Sequence, residues 1–209
     1  IDSFVVPVVV PFKHQKRAQP QRPHLCYVGN LRWHPNAAGL DWFCQDVWKI
    51  VRQLIPNATL EIAGIGLERH AGAKPNAPEL WRVPGVETVG FLDDLEPLYS
   101  RSAAMIAPVL GGSGVRIKLL EGLRAGIPIV TTSEGASGLP LEDGREVFIA
   151  DDATLFARHV ARLLQDAQLR DAVVQGGYEF LERHHSLRAA QAKMRQVLGL
   201  STSDSGIAA

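Results

Sequence analysis

The stretch Ala107–Leu139, APVLGGSGVRIKLLEGLRAGIPIVTTSEGASGL, decides how this chain is read. An apolar run ends in Gly111-Gly112-Ser113-Gly114, and a helix with a basic start follows over Val115–Ala125. Gly126 and Pro128 stop that helix before a second apolar run, which leads into the Gly/Ser-rich segment Ser133–Gly138. The order is strand, loop, helix, strand. A flexible loop that opens a helix leaves N–H groups unpaired and presents the positive end of the helix dipole, a combination that favours anionic oxygens. Arg116 and Lys118 add full positive charge at that point, so the segment reads as a phosphate-binding site.

The same alternation extends in both directions. Upstream, His24–Val28 (HLCYV) is a short apolar strand ending at Gly29-Asn30. A helix over Asn36–Leu54 carries Leu40, Phe43, Val47, Ile50, Val51 and Leu54 at helical spacing, with Pro35 before it and Pro56 after it. Thr59–Ala63 (TLEIA) is a second strand closed by Gly64-Ile65-Gly66, and Val86–Phe91 is a third. Asp93 or Asp94 caps a short helix through Tyr99, and Ala103–Pro108 is the fourth strand. Ile127–Thr131 and Val147–Ala150 are the fifth and sixth, and three helices follow over Thr154–Asp166, Leu169–Arg183 and Leu187–Leu198.

Short apolar strands alternating with helices predict an α/β fold: a doubly wound, mostly parallel sheet of about six strands, with C-terminal helices. Right-handed crossovers then cover both faces, and ligands bind beyond the carboxyl ends of the strands. Five loops follow strands in this way: Gly29-Asn30, Gly64–Gly66, Phe91-Leu92, Gly111–Gly114 and Ser133–Gly138. Their convergence on one edge carries more weight than any single glycine.

Composition narrows the function classes. The chain has 209 residues, enough for one good core, and its 22 basic and 22 acidic residues cancel. A nucleic-acid or membrane-surface binder rests on a net basic field, so the cations near Arg116 are local chemistry. Cys26 and Cys44 lack metal-ligand spacing and sit in apolar surroundings, which predicts buried free thiols and a cytoplasmic setting. No signal peptide or membrane-length apolar run is visible. The chain starts at Ile1-Asp2-Ser3-Phe4 without a Met, and the expectation is a fragment whose upstream domain is missing. Phe4–Phe12, interrupted by Pro7 and Pro11, suits an edge strand or an extended linker, and Lys13–Pro23 reads as loop. The expected organisation is a linker or edge segment over 1–23, one domain over 24–200, and a fraying tail over 201–209.

Several motifs fall short of known signatures. Gly64-Ile65-Gly66 lacks the third glycine of a dinucleotide fingerprint and reads first as a tight turn. Gly111–Gly114 is followed by Val-Arg-Ile-Lys, which excludes a Walker loop. Ser113 and Ser137 do not form a Gly-x-Ser-x-Gly elbow. His34, His70, His184 and His185 read as surface or helix-end histidines and suggest no metal site, and Asp143-Gly144 reads as a turn. Trp33, Trp42, Trp48 and Trp81 read as core and loop packing. Glu121 lies three positions after Lys118, on the same helix face. Its carboxylate can accept two hydroxyl hydrogen bonds, as a ribose diol requires, or can pair with Lys118 along the helix.

The segment Ser113–Thr132 resembles the donor-binding half of GT-B glycosyltransferases, specifically glycosyltransferase family 4. Other parts match in order: Tyr27-Val-Gly29-Asn30 with Pro35-Asn36, Glu61-Ile-Ala-Gly64-Ile-Gly66, Val89-Gly90-Phe91-Leu92-Asp93, and Glu142-Asp143-Gly144. The resemblance runs from about His24 to about Gln196. It implies the C-terminal, Rossmann-like donor domain of a retaining transferase that moves a sugar from a nucleoside-diphosphate sugar to an acceptor hydroxyl. The acceptor would be bound by a missing N-terminal domain, so the isolated chain is expected to be inactive. No cofactor, metal, nucleic acid or membrane span is implied for this chain, although the whole protein could lie at the inner face of the membrane.

By the same resemblance, Arg116, Lys118 and Glu121 are the candidate catalytic residues. The glutamate holds the donor ribose and the two cations face the diphosphate. Donor contacts fall on Gly29, Asn30, Gly64, Gly66, Phe91, Leu92, Gly112, Ser113, Gly114 and Val115. Backbone near Phe91-Leu92 would clamp the base, and Gly64–Gly66 would let it approach closely. Two departures from the family pattern stand out. Ser113 occupies the place of the first of two glutamates, and Gly29-Asn30-Leu31-Arg32 replaces a loop that carries an Arg and a later Lys. Two other functions remain open at this point: a non-catalytic nucleotide-sugar-binding domain, and a nucleotide-sugar epimerase of the same architecture.

Overall fold

The computed structural model describes residues 7–14, 17, 19–67, 78–112 and 116–198. Six strands form one sheet: β1 (His24–Val28), β2 (Thr59–Ala63), β3 (Val86–Gly90), β4 (Ala104–Ala107), β5 (Ile129–Thr131) and β6 (Phe148–Ile149). Every pairing is parallel, in the order β3-β2-β1-β4-β5-β6. The order reverses between β1 and β4. That reversal is the topological switch point, where an α/β sheet opens a crevice beyond its carboxyl ends.

Strand periodicity explains the two cores. Leu25 and Tyr27 of β1, Leu60 and Ile62 of β2, and Ala104 and Ile106 of β4 face one side. They pack there with Leu40, Phe43, Val47 and Val51 from one helical stretch and Phe156 and Val160 from another. Cys26, Met105, Ala107 and Ile129 face the other side, against Leu98, Leu119, Leu120, Leu123, Phe180 and Leu181. The central strands β1, β4 and β5 are therefore buried on both faces, as a doubly covered sheet requires, while Glu61 of β2 and Glu87 of β3 are polar.

The first helical stretch differs from the expected continuous helix. It comprises α1 (His34–Trp42), a π-helical turn over Phe43–Val47, and α2 (Trp48–Leu54). A wider turn inserts an extra residue without breaking the helix, so the apolar spacing survived while its period shifted. The short helix α3 (Glu96–Arg101) starts later than Asp93–Tyr99 suggested, because the Asp94 carboxylate accepts from the Glu96 N–H at 2.9 Å. Helix α4 spans Ile117–Arg124 rather than Val115–Ala125, and Gly126 lies beyond its end in the left-handed region. Ser133–Ala136, read as loop, is a one-turn helix α5 capped by Thr132, whose hydroxyl accepts from Gly135 N–H at 3.0 Å. A one-turn 3-10 helix at Glu79–Trp81 was not foreseen either.

At the C-terminal end, α6 (Ala153–Gln165), α7 (Ala167–His185) and α8 (Leu187–Leu198) match the expected helices within two residues. Asp152 and Asp166 cap α6 and α7, accepting from Leu155 and Leu169 N–H groups at 2.9 Å each. Of the stretch Phe4–Phe12, the described residues 7–12 join no strand. Val10 N–H donates to His185 O at 2.8 Å, and Phe12 stacks on Tyr178 with centroids 5.8 Å apart. Both cysteines are free and buried, as expected, and burial pushes each thiol up to about 12. Among the described residues no helix is long and apolar enough to cross a membrane.

Candidate active site at the sheet switch point

The strand-end loops do converge, and backbone contacts tie them together. Gly29 N–H donates to Ala63 O at 3.2 Å, Gly64 N–H to Gly90 O at 2.9 Å, and Leu31 N–H to Ile65 O at 2.8 Å. These bonds join the loops after β1 and β2 to each other and to the end of β3. A Cβ on Gly64 would stand 1.8 Å from Gly29 O, so only glycine allows the first two loops to lie this close. The reading of Gly64 as a simple tight turn misses this packing role. On the other side of the switch point, the Thr132 hydroxyl donates to Val109 O at 2.5 Å and accepts from Val109 N–H at 3.2 Å. That locks the β4 loop to the start of α5.

Two cations from the start of α4 lie at the switch point between β1 and β4. Arg116, at the N-cap position, is buried, with 6% of its surface exposed. Its guanidinium lies 5.2 Å from the centroid of the Trp33 ring and donates to Gly111 O and to a Glu134 carboxylate oxygen, each at 3.2 Å. Gly112 packs on the same indole: a Cβ there would reach Trp33 Cζ2 at 2.5 Å, and its φ of +100° also favours glycine. Trp33 therefore forms a wall shared by Arg116 and the glycine loop, a larger part than loop packing.

Lys118 reaches across the switch point to β1 and α1. Its ammonium donates to Asn36 Oδ1 at 2.5 Å, with the Tyr27 hydroxyl at 3.5 Å and the Tyr27 ring centroid at 5.0 Å. Burial, aided by the nearby Arg116 charge, lowers Lys118 to about 8. Burial also raises Tyr27, which keeps its hydroxyl protonated. Among the described residues Lys118 forms no ion pair with Glu121, so of the two readings of that i, i+3 pair the intrahelical salt bridge is not formed. Glu121 is exposed one turn into α4, where its charge acts on Tyr99 and not on Lys118. Its carboxylate makes no hydrogen bond within the described residues.

Gly29 and Asn30 follow β1 at the switch point, whereas Phe91, 62% exposed, and Leu92 follow β3, two strands away in the sheet order. Gly66 lies one loop further, against Arg32. Ser113, Gly114, Val115 and His70 lie outside the described residues. Among the described residues no group of three His, Cys, Asp or Glu side chains could hold a metal ion. Sequence reading did not single out Tyr27, Trp33, Asn36 or Glu134 as site residues. Asn36 offered a signal, because Pro35-Asn36 is among the segments that match the family pattern.

The pattern of the family described as Glycosyl transferases group 1 matches residues 22–166, more than half of the chain. Among curated proteins, the chain is 26% identical over 182 residues to a 44.6 kDa protein encoded in the cps region of Klebsiella pneumoniae. That match covers 86% of this chain and 47% of the relative. It is 30% identical over 130 residues to a phosphatidyl-myo-inositol mannosyltransferase of Mycobacterium leprae, covering 58% of this chain and 34% of that protein. The chain thus spans half or less of the length of these two relatives.

Among solved structures, S. aureus TarM, crystallised with Fondaparinux, alpha-GlcNAc-glycerol and UDP, superposes with a TM-score of 0.71 at 13% identity. The overlap covers 90% of this chain and 38% of TarM. The C-terminal domain of the Francisella tularensis group 1 glycosyl transferase LpcC superposes with a TM-score of 0.63 at 16% identity, over 81% of this chain and 88% of that domain. The fold is that of one Rossmann-like half of a GT-B protein, as the sequence resemblance implied. This chain belongs to the glycosyl transferases group 1 family.

Proposed function

We propose that the chain is the donor-binding domain of a retaining glycosyltransferase, which takes a sugar from a nucleoside-diphosphate sugar and passes it to an acceptor hydroxyl. One observation carries this reading: Arg116 and Lys118 meet at the β1/β4 switch point, at the N-terminal end of α4. A diphosphate in that crevice would take charge-assisted hydrogen bonds from both cations and from the helix N-terminus. As the bond to the sugar breaks, negative charge builds on the departing diphosphate, and fixed cations in a partly dry site stabilise that charge most. Glu121 would accept hydrogen bonds from the ribose hydroxyls, and the backbone around Phe91-Leu92 would hold the base.

Two relatives support the reading: TarM was crystallised with UDP, and the Mycobacterium leprae relative is named a mannosyltransferase. The acceptor would be recognised by an N-terminal domain of the whole protein, and the transfer would need no metal. The test is a thermal-shift screen of UDP, GDP and ADP and their sugars on this chain. A ligand at a hundred times its Kd stabilises the native state by about 2.7 kcal/mol, a readily measured shift. Transfer by the whole protein in the presence of EDTA, with retention of the anomeric configuration, would then establish the reaction. Inversion of that centre would overturn the retaining assignment.

A further inference from the structure

Lys118 owes its place to one side chain that motif reading does not assign. Asn36 stands in the first half of α1 with 4% of its surface exposed. One end of its amide donates from Nδ2 to Asn30 O at 2.8 Å, and the other presents Oδ1 to the Lys118 ammonium at 2.5 Å. The two bonds fix each other. A flipped amide would aim its NH2 at the ammonium and its oxygen at the Asn30 carbonyl, and both contacts would turn repulsive. The amide therefore ties the loop after β1 to the cation from α4, across the point where the strand order reverses.

The chemistry of the holder matters as much as its position. Lys118 is held by an amide oxygen and a phenol, both neutral, so its charge is oriented without being cancelled. An aspartate has the same shape and would hold the ammonium more tightly, yet it would neutralise it. It would also lose the donor that binds Asn30 O. An alanine would leave a buried ammonium without its acceptor, which favours the neutral amine.

We propose that Asn36 is a positioning residue for the donor diphosphate, using a neutral amide to aim the Lys118 ammonium into the crevice while keeping its charge available. The proposal rests on the donor-site reading above. Besides Tyr27 on β1, the charged group acting on Lys118 is Arg116, two residues before it. Asn36 adds no charge of its own, and the aspartate variant would.

The test uses this chain with inorganic pyrophosphate and with UDP, GDP and ADP. Affinity is measured by calorimetry between about pH 6.5 and 9.5, and the Lys118 side chain is titrated by NMR. Wild type should bind most tightly below pH 8 and lose affinity above it, as Lys118 gives up its proton. Asn36→Asp should bind about tenfold more weakly at pH 7, with the Lys118 titration moved to higher pH. Asn36→Ala should lose several-fold in affinity, with the titration moved to lower pH. Opposite displacements by two variants of one position are not what a general loss of packing produces. Should Asn36→Ala fail to fold, the nearly isosteric aspartate still decides the matter. Wild-type affinity and an unmoved Lys118 titration in the folded variants would overturn the proposal. If the wild type bound none of the four ligands, the donor-site reading would fall, while the Lys118 titrations would still judge whether Asn36 controls that ammonium.

Discussion

The two edges of the sheet hold their cations in opposite ways. At the amino edge, Arg101 on α3 donates through Nε and Nη2 to both carboxylate oxygens of Glu61, and through Nη1 to Pro97 O at 2.7 Å. Glu61 also lies 3.3 Å from the His24 ring. The carboxylate raises the proton affinity of Arg101, and the positive charge is neutralised within the fold. At the carboxyl edge, Lys118 rests on an amide and a phenol, and burial brings it down to about 8. A cation kept charged by a built-in carboxylate serves the structure. A cation held by neutral groups at reduced proton affinity is poised for an anion from outside. Arg116 is intermediate, because its carboxylate partner Glu134 has 41% of its side chain exposed and can yield to a ligand.

The sharpest way to break this contrast is to remove one cation from each edge. Lys118→Met should weaken diphosphate binding about ten- to a hundredfold, the scale of a lost charged hydrogen bond, with little loss of melting temperature. Arg101→Met should leave binding within about twofold and act instead on stability, because Glu61 loses its partner. Calorimetry and thermal melts on both variants decide it, and the reverse assignment of effects would dissolve the contrast.

The next effect is on pH. Diphosphate affinity should hold steady up to about pH 8 and then fall, approaching tenfold per unit, as unliganded Lys118 deprotonates. In Lys118→Met this alkaline limb should vanish. A smaller change should come from Glu134→Gln, which removes one partly exposed negative charge from beside Arg116 and should raise anion affinity by about two- to fivefold. The smallest expected effect belongs to the amino edge. Desolvation lowers His24, outweighing the attraction of Glu61, so the unfolded chain binds its proton more tightly. Stability should then decline as pH falls through the unfolded value near ~6.5, and His24→Gln should flatten that decline in acid melts.

Much of this arrangement was legible in the residues. Strands β1 and β2 matched residue for residue, because a five-residue β-prone run closed by glycine leaves little choice. The line of loops along one edge followed from parallel topology alone. What escaped was what depends on packing between distant segments. The π-turn at Phe43–Val47 preserves an apolar helix pattern and so hides inside it. Trp33 looked like one more packing tryptophan until Gly112 and Arg116 were found against its ring, some 80 residues further along the chain. Lys118 and Glu121 sit at intrahelical spacing, which made their mutual pairing a fair expectation. A buried amide on another helix took the lysine, a competition that local spacing cannot register.

The most direct test of the central claim is calorimetric titration of this chain with UDP, GDP and ADP at pH 7, beside Lys118→Met and Arg116→Ala. The wild type should bind at least one of the diphosphates saturably, and each variant should lose tenfold or more in affinity. Absence of binding by all three nucleotides, or equal binding by the wild type and both variants, would contradict that claim.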